Sequence, residues 1–350
     1  MTEYHVVPAE RAGIELDEYL CLVYPGVNKG FVRQQVRLGK VLLDGEAVNP
    51  SDRLRPHQVV VIDFDELDLP LQPIAPDLEI PILYEDERVL VVDKPDGLAV
   101  EPERWHRHLA CLSGALLRIA LDRAPEEGEL GFRPRLVHRI DKDTTGCVLV
   151  AKDLEAERLL RIAFDEGGIG KRYLALVEGE HPLSDGESEI IDLPLAHDER
   201  RGGRMVIAKR GGKPSQTRIA VEQRFRGYTL LACEPLTGRT HQIRAHLAAQ
   251  GFPLIVDSLY GRRDALLLSE IKPAYRPKRG RVERPLIRRL TLHAASISFP
   301  APAGEAGARV EVQSPLPTDM ERAIKQLAKV RSSSAPGPRQ GRPRGGRRRR

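Results

Sequence analysis

Apolar residues recur at helical spacing through "LDEYLCLVYPG", residues 16–26, and the run stops at Pro25-Gly26, which predicts a first helix. "NKGFVRQQVRLG", residues 28–39, predicts a second, with Asn28 as its N-cap and Gly39 closing it. Spacing then changes to that of strands. "VLLDGEAV" carries Asp44-Gly45 between two apolar runs, a hairpin signal, and "QVVVIDF" adds a third strand. Two helices therefore feed a small sheet. Residues 67–81, "LDLPLQPIAPDLEIP", hold four prolines and no helical period, so they predict an extended linker that few contacts cross. Beyond it, "RVLVVDKPDGLAV" predicts a strand ending in a Lys-Pro-Asp-Gly turn, and "ACLSGALLRIAL" a helix. Further strands fit "CVLVAK", "YLALVEG", "TRIAVEQRF" and "YTLLACEP", with a helix over "DLEAERLLRIAFDEG" that Asp153 caps. Many strands, few helices and no regular βαβ alternation predict an α+β fold with a mostly antiparallel sheet. No repeat of solenoid or propeller period is visible.

Composition bounds the function. A chain of 350 residues with 41% hydrophobic content has room for two domains with full cores. "MTEYHVVPAERAG" lacks a signal peptide's apolar run, and nothing approaches the roughly 18–20 apolar residues of a membrane span, so a cytoplasmic location is expected. Cys21, Cys111, Cys147 and Cys233 lie far apart with no C-x-x-C pair, which argues against a zinc ribbon or iron–sulfur cluster and for reduced packing residues. The formal charge of +5 becomes −3 over residues 1–330, because residues 331–350 carry eight arginines and no acid. That Gly, Pro and Arg tail has almost nothing to bury; it is expected to be disordered and to bind polyanions. Arg33 and Arg37 share one face of the second helix, with Lys40 just after it, either as a phosphate-facing surface or as an ordinary solvated one.

The densest chemistry lies in "HRIDKDTTG", residues 138–146. A protein kinase's catalytic loop is excluded, since Ile140 separates Arg139 from Asp141 and neither a glycine loop nor D-F-G is present. A metal is disfavoured because His138, Asp141 and Asp143 are crowded among Arg139 and Lys142. A salt-bridged turn between strands stays open beside a reactive carboxylate. Two other segments bear on that choice. "GKRYLALVEG" places Tyr173 on a strand behind Lys171 and Arg172, and "LTGRTHQIRAHLAAQG" opens on a Thr-Gly turn and continues as a helix with Ile243 and Leu247 on its apolar side. An acid, an aromatic and a basic helix start are what a flipped nucleobase requires: a reactive group, a face to stack on, and positive charge for the backbone.

These segments resemble the RluA-type pseudouridine synthase family, whose catalytic aspartate sits in HR-apolar-D-basic-x-T/S-S/T-G. The resemblance spans residues 80–302 through "VLVVDKPDGLAV", "HRIDKDTTGCVLVAK", "KRYLALVEG", "TGRTHQIRAHLAAQG", "DSLYG" and "LHAASISFP". Cys147 stands where an aliphatic is usual, and Ser258 interrupts the common Asp-Pro before "LYG". Residues 14–62 in turn resemble the S4-like RNA-binding domain in "LDEYL", the "RLGKVLLDGEAV" junction and the closing strand, departing at Asn28-Lys29 where Ser-Arg is frequent. The basic stretch 271–289 is longer than the family leads one to expect, and reads as an extra RNA contact or an exposed loop.

The resemblance implies an S4-like domain at 1–66, the linker at 67–81, a catalytic domain at 82–302, an extension at 303–330 and the basic tail at 331–350. It implies isomerisation of uridine to pseudouridine in RNA without metal, redox group or other cofactor. Asp141 is the implied catalytic carboxylate, as nucleophile at C1′ or base at C2′. Arg244 pairs with it, Tyr173 stacks on the uracil, and Arg139 inserts where the flipped nucleotide was. Arg239 and His241 are expected to be structural or RNA-facing, while His138 and Thr144 shape the turn. Large-subunit (23S) ribosomal RNA is the expected substrate, with transfer RNA the runner-up. A noncatalytic ribosome-assembly factor and an RNA glycosylase are the competing functions of different class. Partners other than RNA, such as DNA or membrane, are not expected, and the enzyme is expected to act as a monomer.

Overall fold

The structure, a computed structural model, describes residues 2–24, 27–63, 78–102, 110–124, 130–208, 210–276, 280, 282–305 and 307–332. Most of the predicted linker and nearly all of the basic tail lie outside them. The amino-terminal part comprises β1 (Glu3–Val6), α1 (Leu16–Val23), α2 (Lys29–Arg37), β2 (Val41–Leu43), β3 (Glu46–Ala47) and β4 (Val59–Ile62). Its four-stranded antiparallel sheet has the order β1-β4-β2-β3, and both helices pack Leu16, Leu20, Val32 and Val36 against Val41, Val60 and Ile62. The Asn28 side chain accepts from the Phe31 amide, as an N-cap should, and Asp44 and Gly45 both take positive φ at the hairpin. β1 was not legible in the sequence. It is an edge strand whose residues alternate between exposed and half-buried, so it lacks an apolar run.

The rest is built on one large sheet. In chain order its elements are β5 (Ile82–Glu85), β6 (Val89–Lys94), α3 (Leu112–Leu121), β7 (Arg135–Leu136), β8 (Thr145–Ala151), α4 (Leu154–Asp165), β9 (Gly170–Glu178) and β10 (Ser188–Asp192). There follow β11 (Leu195–His197), β12 (Met205–Ile207), β13 (Gln216–Phe225), β14 (Tyr228–Pro235), α5 (Gln242–Ala249), α6 (Leu268–Ile271), β15 (Leu292–Pro300), β16 (Arg309–Gln313) and α7 (Thr318–Val330). The sheet runs β10-β13-β14-β9-β15-β8-β6-β5, with β16 on β15 and β7 on β8, while β11 and β12 form a separate hairpin. Pairing is antiparallel except between β8 and β15, as the α+β prediction requires. Every residue of β8 is buried, because the strand is covered on both faces. Gly146 takes φ 111°, and a Cβ there would lie 2.2 Å from the Ala294 carbonyl oxygen, so only glycine lets β15 close beside the start of β8. All four cysteines are free and buried. Residues 303–330, expected only as an extension, hold β16 and α7, whose Met320, Ala323 and Leu327 pack on Phe225, Leu230 and Leu266.

One expectation needs correction: the two parts share an apolar cluster and a group of ion pairs. Leu22 of α1 packs in the same cluster as Leu112, Leu116 and Leu130, and its carbonyl accepts from the Leu130 amide at 3.0 Å. Around it, Glu18 pairs with Lys29, Arg133 and Arg135, and Arg135 also reaches Glu157 at 2.9 Å. A chain cut after residue 66 would leave these cations and apolar groups uncovered. Burial by itself would raise the Glu18 carboxyl, but Arg133 and Arg135, with hydrogen bonds from Lys29 and Arg135, bring it down to about 2. A lowered folded pKa means stability that is complete above about pH 4.5 and disappears as pH falls toward about 2. That shift corresponds to roughly 3 kcal/mol at neutral pH. Glu18→Gln should therefore melt well below the wild type at pH 7, and the gap should narrow through that acid window. A gap independent of pH would exclude Glu18 as the ionic tie between the parts.

Candidate active site

The turn that carries Asp141 is shaped by its own backbone and by one buried lysine. The Thr144 amide donates to the Asp141 carbonyl at 3.0 Å, closing the turn just before β8. Lys94, at the end of β6, is fully buried and donates to the carbonyls of Pro95, Leu98 and Lys142 at 2.7, 2.9 and 2.7 Å. It thus pins the Lys-Pro-Asp-Gly turn to the residue after Asp141. Burial lowers its ammonium to about 8, against the opposing pull of Asp143, Asp96 and Asp141. His138 accepts from the Leu149 amide through Nε2 at 2.9 Å, and burial depresses its ring to about 3, so it is a neutral structural acceptor. This agrees with its expected part in shaping the turn.

Opposite this turn stands α5. Gln242, its first residue, is buried and ties the preceding loop down: its side chain meets the Thr237 hydroxyl, the Arg239 amide, the Gln216 carbonyl and the Thr217 hydroxyl. His241 caps the helix in the left-handed region at φ 52°, a strained conformation for a non-glycine residue, with its ring 3.3 Å from the Tyr260 hydroxyl. Two residues into the helix, Arg244 is buried. Its Nη1 donates to Asp141 at 3.0 Å, while Nε and Nη2 donate to the two carboxylate oxygens of Asp257 at 2.8 and 2.9 Å. Burial opposes the charge, but the two carboxylates more than compensate and hold the guanidinium firmly protonated. The Tyr260 ring packs against the same guanidinium at 5.2 Å. Arg244 is therefore fixed before any ligand arrives, with one nitrogen aimed at Asp141.

Asp141, Tyr173 and Arg244 all line one cavity of about 700 Å³, together with Arg139, Thr144, Lys171, Arg239 and His241. The structure thus brings together the three predicted catalytic residues from a turn, β9 and α5. Tyr173 presents an aromatic wall; burial, then the nearby Asp141 charge, pushes its phenol upward, so it stays neutral. Thr144 is buried, and its hydroxyl has no hydrogen-bond partner among the described residues. Arg139 is exposed at the rim and pairs with Glu101 at 2.9 Å; Arg239 is exposed there and reaches the Pro214 carbonyl. Arg33, Arg37 and Lys40 do not line this cavity. They lie on the small domain, where Arg33 is already engaged by the buried Asp17 at 2.7 Å, and Arg37 and Lys40 are exposed.

Asp257 and Lys94 were not singled out from the sequence. Asp257 had a signal: it ends the apolar "PLIV" run and begins "DSLYG", and Gly261 must be glycine because a Cβ would lie 2.7 Å from the Asp257 carbonyl oxygen. Lys94 had a weaker one, a cation that follows Asp93 at the end of the apolar run of residues 89–92.

Comparison with known proteins agrees with this geometry. Residues 88–249 match the family described as RNA pseudouridylate synthase. The chain is 32% identical over 324 residues to ribosomal large subunit pseudouridine synthase D of Xanthomonas campestris, covering 92% of this chain and 91% of the relative. It is 32% identical over 340 residues to ribosomal large subunit pseudouridine synthase C of Escherichia coli, covering 93% and 96%. Among solved structures, human RNA pseudouridylate synthase domain containing 1 aligns with TM-score 0.50 and 26% identity over 70% of this chain and 86% of the human one. Identity of about a third along nearly the whole length of both chains, with the match centred on the segment that builds the cavity, means that the chain belongs to the RNA pseudouridine synthase family.

Proposed function

We propose that this enzyme isomerises uridines of large-subunit ribosomal RNA, with Asp141 as the reacting carboxylate, Tyr173 against the uracil and Arg244 orienting Asp141. The observation that carries the reading is the placement of a partly exposed carboxylate on a prefixed guanidinium, facing an aromatic wall within one cavity. A carboxylate so held can attack C1′ or take the C2′ proton, and either route detaches uracil with the electron pair of the C1′–N1 bond. Rejoining through C5 releases the C5 proton. The substrate class is supported by the names of the relatives above, which act on the large ribosomal subunit. Residues 1–66 serve as an S4-like RNA-binding domain and the arrangement works as a cytoplasmic monomer. Incubation with RNA tritiated at uridine C5 is the test. Label should appear in water without free uracil; free uracil would indicate a glycosylase, and no release from any RNA a noncatalytic binder.

The basic tail and Arg239 are assigned to the RNA backbone, and Arg139 to the place vacated by the flipped nucleotide. Removing residues 331–350 should weaken RNA binding and flatten its salt dependence, by roughly 0.7 in log–log slope for each phosphate of single-stranded RNA that the tail had neutralised. Site choice should not change. A truncated protein with the wild-type slope would show that the tail does not touch RNA.

A further inference from the structure

Lys171 sits in β9 two residues before Tyr173, so strand alternation turns both side chains to one face, about 7 Å apart along it. Both line the cavity. The Lys171 ammonium rests 5.6 Å from the centre of the Phe164 ring, and among the described residues it pairs with no carboxylate. Burial lowers it from the ordinary lysine range, with no acid pulling the other way. The other cations of this cavity are placed differently. Arg244 is held by two carboxylates, Arg139 by Glu101, and Lys142 and Arg239 are exposed. A half-buried cation without a carboxylate partner is not compensated by the fold, so its presence in a cavity wall points to an anion supplied by the ligand.

RNA offers two anions there. One is the phosphodiester, charged throughout; the other is the uracil, which becomes charged only as it leaves. In that step either C1′ gains a bond to the Asp141 carboxylate, or Asp141 takes the C2′ proton and C1′=C2′ forms. In both, the C1′–N1 electron pair departs on the ring and spreads to its oxygens. Asp141, Tyr173 and Lys171 all line the cavity, and β9 sets Lys171 two residues from Tyr173 on the same face of the strand. With the sugar at Asp141 and the uracil on Tyr173, an ammonium on the Tyr173 face of β9 lies beside the ring, whereas Arg139 and Arg239 stand exposed at the rim.

We propose that Lys171 stabilises the negative charge on the detaching uracil. The ammonium keeps its proton and donates a hydrogen bond, so the step needs no co-reactant. This inference rests on the roles given above to Asp141 and Tyr173. Preorganised donors aimed at charge that develops in the transition state are typically worth about 10²–10³ in rate.

The test uses full-length Lys171→Met and Lys171→Arg with an RNA substrate under single-turnover conditions. Lys171→Met should slow conversion by about 10²-fold with RNA affinity unchanged, and should melt at or above the wild type because a half-buried charge without a carboxylate partner has been removed. Lys171→Arg should recover most of the rate. In RNA carrying 5-fluorouridine, where fluorine already stabilises the uracil anion, the Lys171→Met defect in consumption of the nucleoside should shrink. Weakened RNA affinity with the conversion rate intact would overturn the proposal in favour of a phosphate contact. So would a wild-type rate for Lys171→Met, or the same defect with uridine and 5-fluorouridine. Each of these leaves the assignment of Asp141 standing, whereas pseudouridine formation by Asp141→Asn would remove the reading beneath it.

Discussion

Asp141→Asn is expected to abolish pseudouridine formation while RNA affinity changes by no more than about 1 kcal/mol, since an amide can neither attack C1′ nor abstract a proton at C2′. Arg139, Tyr173 and the rim remain to hold RNA. The same substitution should have only a modest effect on the melt. Arg244 keeps both hydrogen bonds to Asp257, and the amide oxygen of an asparagine can still accept from Nη1. The side chain of Asp141 is also 22% exposed, so water reaches what the protein no longer satisfies. A view of Asp141 as the sole ionic partner of Arg244 would instead predict a large loss of stability. Binding, turnover and melting measured on one preparation separate these outcomes, and retained turnover would take Asp141 out of the mechanism.

Sequence patterns reached the site through residues whose chemistry is local. "HRIDKDTTG" announces a carboxylate on a turn because polar groups interrupt the approach to a buried strand, and Asn28, Asp153 and Gly39 mark helix ends with groups that act within a few residues. What the sequence could not reveal was created by contact between distant segments. Asp257 becomes a partner of Arg244 only when the turn after Val256 meets α5, and Lys94 becomes a clamp only when the turn after β6 packs under Lys142. Glu18 looks like an ordinary surface acid of an amphipathic helix until Arg133 and Arg135 close over it. The proline-rich segment suggested independent parts because linkers usually separate them. Leu22 reaching the second core overrides that inference, since buried apolar contact and ion pairs, not linker composition, decide how tightly two parts hold.

Asp257→Asn should invert the balance seen at Asp141, losing the most stability of any change at this site. The Asp257 side chain is fully buried and does two things: both oxygens take Arg244, and Oδ1 also accepts from the amides of Leu259 and Tyr260 at 2.9 and 3.1 Å. An asparagine would point one amide N–H group at a guanidinium that has no acceptor to offer it. Arg244 would keep only the partly exposed Asp141, and breaking a buried pair typically costs about 3–5 kcal/mol. In a domain of this size that is a fall in melting temperature on the order of 10 °C. Activity should fall as well, by about 10²-fold or more, because Arg244 is no longer fixed and Asp141 loses its orientation. Arg244→Lys should share both losses, since a single ammonium cannot span two carboxylates in the planar geometry seen here. The comparison is therefore ordered: Asp141→Asn inactive and nearly as stable as the wild type, Asp257→Asn partly active and much less stable. If Asp257→Asn melts with the wild type, Arg244 is held by something other than this pair, and the account of a preset guanidinium at Asp141 fails with it.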